Sequence, residues 1–484
     1  MTLSEDPAPA EAATAADGLE LDPETMRALG YRVVDLLVDR IASLDETRAW
    51  RGASRAEMES RLREPPPAAR TEFDEILRRL GADVLPFTGH HDHPRFFGFI
   101  PSCPTWPGIL GDFIASGVNV FQGTWLQSAG ASTVELVVLD WFRQWIGYPG
   151  QASGVLVSGG SQANLTALAC ARETKAGGRS ESAVVYVSTQ GHSSVTRALR
   201  ILGFRSEQIR ALPVDERFRL RPDALAAAIE QDVRAGRQPF LVVANAGATN
   251  TGAIDPLAAL AEVCAERGVW LHVDAAYGGF AILTERGRRW LGGLDRADSV
   301  TLDPHKWLYQ PYECGCLLVR DGPLLARAFH IMPDYLQDTA VGGVEVNFAD
   351  RGIQLTRSAR ALKLWISLQY FGVAAFQAAI ERSLDLAALA EERIRASHKL
   401  ELLSPATLGV VCFRRRAAGV EEEGTLERLN VELGRRLLES GEGTISSTRV
   451  DGRYALRLCV LNHRSGPEDV ERILGWVERA PVSP

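Results

Sequence analysis

The chain has 484 residues, 46% apolar and 24% charged, with a formal net charge of −8. That apolar content can bury a large core and excludes wholesale disorder, while the mild acidity makes nucleic acid or an anionic membrane a poor partner. No run of about 18 apolar residues occurs, and the acidic start MTLSEDPAPAEAATAADG lacks the basic-then-apolar order of a secretory signal.

Residues 1–21, rich in Ala, Pro, Asp and Glu, are expected to form a disordered tail. From Pro23, apolar residues recur at three- and four-residue steps (Met26, Leu29, Val33, Leu36, Leu37, Ile41), the spacing of one helix face. A second, weak helix stops at the stiff spacer Pro65-Pro66-Pro67, and a third runs through Phe73, Ile76, Leu77 and Leu80. These helices are too thin to make a core of their own. Residues 22–95 are therefore expected to be a helical layer packed on something larger, such as a partner subunit. Residues 96–375 alternate. The β-rich runs GVLVS (154–158), AVVYVS (183–188), FLVVANAG (240–247), VWLHVDAAY (269–277) and CLLVR (316–320) are separated by helical stretches at 161–175, 193–202, 222–235 and 256–267. This alternation predicts an α/β domain with a mainly parallel sheet and a ligand at the carboxyl ends of its strands. Residues 376–484 read as a small α+β domain: a long helix from about 373 to 397, LGVVCFRRR, a helix near 425–439, YALRLCVLN and a closing helix.

Four motifs carry chemistry. Ser158-Gly159-Gly160-Ser161 follows a strand and opens a helix, so its free N–H groups and the positive helix end form an anion cradle. Gly-Gly turns are also common without a ligand. His192, in Gln190-Gly191-His192-Ser193-Ser194, falls just past a strand, at the same sheet edge; a structural loop histidine is the alternative. Asp274, in His272-Val273-Asp274-Ala275-Ala276-Tyr277, ends a buried-strand pattern and suits a protonated ring nitrogen, with Ala276 against the ring face. A helix N-cap is its alternative. Lys306, in Asp303-Pro304-His305-Lys306-Trp307, stands in a turn fixed by Asp-Pro and Trp. A partly buried lysine there can condense with an aldehyde, or can be a structural ion-pair partner. Together a phosphate cradle, an aromatic stacker, a ring-nitrogen carboxylate and a reactive lysine specify pyridoxal 5′-phosphate. His90-His91-Asp92-His93 looks like a metal cluster, but neighbouring histidines rarely converge on one ion, so no metal is expected.

At these residues the chain resembles the group II pyridoxal-phosphate decarboxylases, in their aromatic-L-amino-acid decarboxylase branch. The resemblance runs from about residue 22 to 475. It includes the entry helices, the triple-Pro spacer, His93-Pro94-Arg95-Phe96-Phe97, His272–Gly279 and the span from Ser299 to Lys306. It implies a fold-type-I architecture: a helical N-terminal layer, a large cofactor domain, a small C-terminal domain and an obligate homodimer. It also implies Lys306 as the lysine that carries the cofactor, Asp274 at the ring nitrogen, His192 and Ala276 on the two ring faces, and Ser158, Gly159, Gly160 and Ser161 at the phosphate. Thr249, Asp303 and His305 stand beside the cofactor. Asp303 departs from the Asn of animal members, and an anion there repels a phosphate unless it turns away. Met332-Pro333-Asp334-Tyr335-Leu336, followed by Gly342-Gly343, matches the family's mobile catalytic loop, with Tyr335 as proton donor. Phe99, Ile100 and Pro101 match the substrate wall. Gly123 stands where animal members have a bulky Phe, and Thr356 where plant members carry Gly or Ser.

The implied function is decarboxylation of an aromatic L-amino acid to the amine and CO2, with Lys306, His192, Tyr335 and Asp274 catalytic. One alternative is an oxygen-consuming aldehyde synthase on the same fold. In this family that change accompanies loss of the tyrosine or of the stacking His, and both are present here. An alternative of another class is a non-catalytic phosphate- or nucleotide-binding protein, which leaves Lys306 and Asp274 unexplained. Seven scattered cysteines, from Cys103 to Cys459, read as reduced thiols of a cytoplasmic protein.

Overall fold

The computed structural model describes residues 19–178, 180–331, 344–417, 419 and 421–481. The chain divides into two compact units, Met1–Thr88 and Gly89–Pro484.

In the first unit, the helix Pro23–Ala42 starts where Asp22 accepts the N–H groups of Glu24 and Thr25, each at 2.9 Å, with Pro23 in the first turn. Helix Arg55–Leu62 is capped by Ser54, and Phe73–Arg79 continues into a π turn over Leu80–Val84. Ion pairs Arg61–Asp83 at 3.0 Å and Arg79–Glu64 at 3.1 Å link the pieces. Arg51 and Arg61 also stack over the Phe87 ring. None of the three helices holds a buried residue, and Met26, Tyr31, Val33 and Val38 are exposed. Among its described residues, the buried ones are Leu44 and Ala49.

Among the described residues, the second unit contains twelve strands: β1 (Phe96–Phe97), β2 (Ser153–Val157), β3 (Ala183–Ser188), β4 (Ile209–Leu212), β5 (Gln238–Asn245), β6 (Trp270–Asp274), β7 (Ser299–Leu302), β8 (Gly315–Val319), β9 (Leu400–Thr407), β10 (Val410–Arg415), β11 (Thr444–Val450) and β12 (Arg453–Cys459). Seven form one sheet in the order β2-β8-β7-β6-β5-β3-β4. Its strands run parallel except β8, which is antiparallel to both neighbours. Strands such as Ala183–Ser188 are buried at every residue, as a sheet covered on both faces requires. The register sets Asn245 beside Asp274 and Asp274 beside Thr301, so three strand ends stand side by side.

Helix Gly160–Lys175 leaves β2 at one edge and leads to β3 near the other. It therefore crosses the sheet, touching β5, β6, β7 and β8. The helices Trp106–Val118 and Trp125–Ile146 were not anticipated from the sequence. Pro107 and three glycines mask the first. The second buries Val138, Leu139, Phe142 and Ile146 in the main core.

β9 to β12 form an antiparallel sheet with β1 added parallel on β11. Helices Val373–Ala396, Glu423–Ser440 and Pro467–Arg479 pack on it around a separate core that includes Val411, Phe413, Leu433, Leu456 and Ile473. β9 and β11 also escaped the sequence reading, because Pro405 interrupts one and Ser and Thr dilute the other. Among the described residues no helix is long and apolar enough to cross a membrane.

Candidate active site

The strand ends open on a cavity of about 360 Å³, lined by residues that follow β2, β3, β5, β6 and β7. Ser158, Gly159, Gly160, Ser161, His192, Thr249, Asp274, Ala276, Asp303, His305 and Lys306 all line it. Asp274 is the last residue of its strand and the others belong to a loop or helix start just beyond one, so parallel topology gathers residues up to 148 positions apart in sequence (158 to 306).

Local chemistry sets each group. The first intrahelical bonds of Gly160–Lys175 are made by Gln162 and Ala163 to the Gly159 carbonyl, which leaves the amides of Gly160 and Ser161 at the open end. Ser158 is held by Gln162, whose Oε1 accepts the Ser158 hydroxyl at 2.8 Å and its N–H at 3.2 Å. A Cβ on Gly160 would stand 2.9 Å from Asp303 Oδ2 and 3.1 Å from Ala276 Cβ, so a larger residue there would close the cradle. Asp274 accepts Asn164 Nδ2–H at 2.9 Å and the Ala276 N–H at 3.2 Å.

Lys306 Nζ is 3.0 Å from Asp303 Oδ2, and His305 Nε2 is 3.7 Å from the same oxygen. Asp303 is buried, and its Oδ1 has no hydrogen-bond partner among the described residues. His305 Nδ1 lies 2.6 Å from the Cys314 carbonyl, which can only accept, so that nitrogen carries a proton. Burial lowers the His305 pKa, against the opposing pull of Asp303.

The remaining candidates lie elsewhere. Phe99, Ile100, Pro101, Gly123 and Thr356 are not among the residues lining the cavity; Phe99 and Thr356 are exposed and Gly123 is buried. Gly123 and Thr356 do come near each other, because Gln122 N–H donates to the Arg357 carbonyl at 2.9 Å. Gly123 also lies close to the backbone at residue 355. A Cβ there would stand 2.6 Å from the Leu355 carbonyl oxygen, so glycine permits a close backbone approach. Tyr335 lies outside the described residues. Among the described residues no group of three or more His, Cys, Asp or Glu side chains is placed to hold a metal. His91 instead packs edge-on against Phe96, with ring centroids 4.8 Å apart.

Sequence reading missed Asn164, Ser194, Asn245 and Tyr277, which also line the cavity. Asn164 falls in the helix expected at 161–175, but nothing in its spacing marks a helix residue that faces a distant strand.

The lining suits pyridoxal phosphate. The helix-start amides and the Ser161 hydroxyl fit an anion, Lys306 offers an amine, and Asp274 offers a carboxylate for a ring nitrogen. Asp303, beside Gly160, is the member that opposes an anion.

Residues 57–416 match the pyridoxal-dependent decarboxylase conserved domain, and the chain belongs to that family. It is thus a pyridoxal-phosphate-dependent carboxy-lyase. The chain is 41% identical over 461 residues to an aromatic-L-amino-acid decarboxylase of Bacillus atrophaeus, covering 95% of this chain and 96% of the relative. It is 31% identical to a phenylacetaldehyde synthase of Petunia hybrida, over 91% of each chain. The fold matches the crystal structure of Oryza sativa TDC with PLP and tryptamine at a TM-score of 0.90 and 31% identity, covering 96% of this chain and 98% of that one.

Proposed function

We propose that the enzyme removes the carboxylate of an aromatic L-amino acid as CO2 and releases the amine. The observation that carries the aromatic assignment is the 41% identity, over nearly the whole of both chains, to an aromatic-L-amino-acid decarboxylase. The cavity supports the chemistry. Lys306 would hold the cofactor's aldehyde carbon, and Asp274 would keep a proton on its ring nitrogen. Ser158, Gly159, Gly160 and Ser161 would hold its phosphate, and Thr249 and His305 would flank it. His192 and Ala276 would cover the two ring faces. When bound, pyridoxal phosphate supplies the sink for the electron pair left at Cα as CO2 departs. Tyr335 would return a proton to Cα. Phe99, Ile100, Pro101, Gly123 and Thr356 would form the substrate end.

The working unit in this reading is a homodimer. Phe113, Ile114, Val118, Leu126, Tyr370 and Phe371 are exposed apolar side chains of the second unit, and a second copy of the chain would cover them. A reducing, cytoplasmic setting agrees with seven cysteines that are all buried and joined by no disulfide among the described residues.

The test is a panel of amino acids given to the cofactor-loaded enzyme, with amine and CO2 measured. Aromatic substrates should exceed acidic and small aliphatic ones by about 100-fold or more in kcat/KM, a discrimination of about 3 kcal/mol. Equal turnover of glutamate would overturn the aromatic assignment. The likeness to a phenylacetaldehyde synthase supports a second reading, release of aldehyde with oxygen consumption. An oxygen electrode in the same assay separates the two.

A further inference from the structure

Asn164 lies in the second turn of the helix that crosses the sheet, and it is 1% exposed. Its Nδ2 donates to Asp274 Oδ2 at 2.9 Å and to Ser194 Oγ at 3.0 Å. Its Oδ1 accepts from Thr301 Oγ1 at 2.8 Å and lies 3.1 Å from His272 Nε2. All four bonding positions of the amide are used. Charge fixes its orientation, because a flipped amide would set Oδ1 against the Asp274 carboxylate.

Proton positions then follow around the network. Oδ1 can only accept, so His272 Nε2 carries a hydrogen. Burial lowers the His272 pKa to about 4, with Asp274 opposing, so the ring is neutral and Nδ1 holds a lone pair. Ser299 Oγ, 2.8 Å from that Nδ1, donates to it while accepting the Trp270 indole N–H at 2.9 Å. On the other arm, Ser194 Oγ accepts from Asn164, which leaves its own hydrogen for His192 Nδ1 at 2.8 Å. The Ser194 N–H points at the same nitrogen, at 3.3 Å. His192 Nδ1 is thus an acceptor, and the ring proton sits on Nε2, the nitrogen left for the cavity.

We propose that Asn164 is a positioning residue: it joins Asp274 to His192 in one network and holds His192 in the tautomer that presents an Nε2 proton to the cavity. The network couples the group assigned to the ring nitrogen with the group assigned to the ring face. A residue on a helix that packs on β6, on β7 and on the helix Ser193–Ile201 together can do this; one on any single strand could not. The consequence for turnover rests on the proposed decarboxylation, whereas the tautomer itself is readable without it.

The test uses the cofactor-loaded protein labelled with 15N-histidine. His192→Gln and His272→Gln assign the two imidazoles. In the wild type both should show a protonated Nε2 and an unprotonated Nδ1. Asn164→Leu keeps the volume and removes every bond; it should mix the tautomers of both rings. With an aromatic substrate it should lower kcat by about 10-fold to 100-fold and leave KM within about threefold, the loss expected for hydrogen bonds to a charged group. A protonated Nδ1 on wild-type His192, tautomers unchanged in Asn164→Leu, or a wild-type kcat despite mixed tautomers would each overturn the proposal. If Asn164→Leu does not fold, Ser194→Ala decides: His192 should lose its single tautomer while His272 keeps it, and an unchanged His192 overturns the proposal. Failure of every aromatic substrate would sink the proposed reaction and leave the imidazole spectra standing.

Discussion

Lys306 and Asp303 face each other across 3.0 Å inside the cavity, with Asp303 buried and one of its oxygens without a hydrogen-bond partner among the described residues. Lys306→Ala should abolish turnover and the near-visible absorption of bound cofactor; retention of either would show that another amine holds it. In the cofactor-free protein, the same change strands a buried carboxylate. Adding Asp303→Asn should then recover about 1–3 kcal/mol in a denaturant titration. Asp274→Asn is more damaging than a loss of charge alone. Asp274 accepts from both Asn164 and Ala276, so an amide there turns a donor toward a donor. Its kcat should fall by about 10²–10³ or more, equivalent to roughly 3–5 kcal/mol, with cofactor still bound. A rate within a few-fold of wild type would mean that another group protonates the ring. Tyr335→Phe removes the assigned acid and keeps the ring. It should still release CO2 while shifting product from amine to aldehyde with oxygen uptake. Amine alone at the wild-type rate would show that Tyr335 is not the proton donor.

Between residues and fold, the connection after β5 shows how an element end is held. Asp255 accepts the Leu220 N–H at 2.6 Å and the Asn245 N–H at 2.7 Å, which fastens the turn over 246–254 to the strand that ends at the cavity. Burial pushes its carboxyl up to about 6, above the 3.8 of an unperturbed group, despite these bonds. A carboxyl raised in the folded state binds its proton more tightly there than in the unfolded chain. Its stabilising share is therefore full below about pH 4 and is lost as pH rises past 6. Asp255→Asn sets an amide N–H against a backbone N–H and should cost about 1–3 kcal/mol. Its Tm should lie below that of the wild type at every pH, and the gap should narrow from pH 4 to pH 7. A gap that widens would reverse the assigned direction.

Across the whole molecule, the first unit carries helices with no buried residue and several exposed apolar side chains. A helical layer of that kind needs a larger surface to cover it, and the proposed second copy supplies one. Deleting residues 1–85 should therefore give insoluble or inactive protein, and the intact enzyme should sediment as a dimer. An active, monomeric truncation would contradict both. The exposed row Phe113, Ile114 and Val118 offers a milder check. Ile114→Asp should shift the sedimentation equilibrium toward monomer and lower activity in step.

Much of this was legible in the residues, for a physical reason. Strands buried on both faces must be unbroken apolar runs, and glycines before a helix must leave amides open. Hence Val155–Val157, Val184–Val187 and Gly159-Gly160 announced both the sheet and one wall of the site. The order of Asp274 and Lys306 after successive strands made the cofactor readable before any geometry was known. Sequence was silent where a contact depends on which strand lies beside which. The helices over 106–146, hidden by glycines or by even apolar coating, became clear only as packing partners. Gly123 took its meaning from a carbonyl at residue 355. Asn164 reads in the chain as one more polar residue on a helix. Only the sheet order, which carries that helix from β2 across β7 and β6 toward β3, brings its amide to Asp274, Thr301, His272 and Ser194 at once. Local pattern follows from neighbours in sequence; a hydrogen-bond network among residues 30 to 137 positions apart is decided by topology.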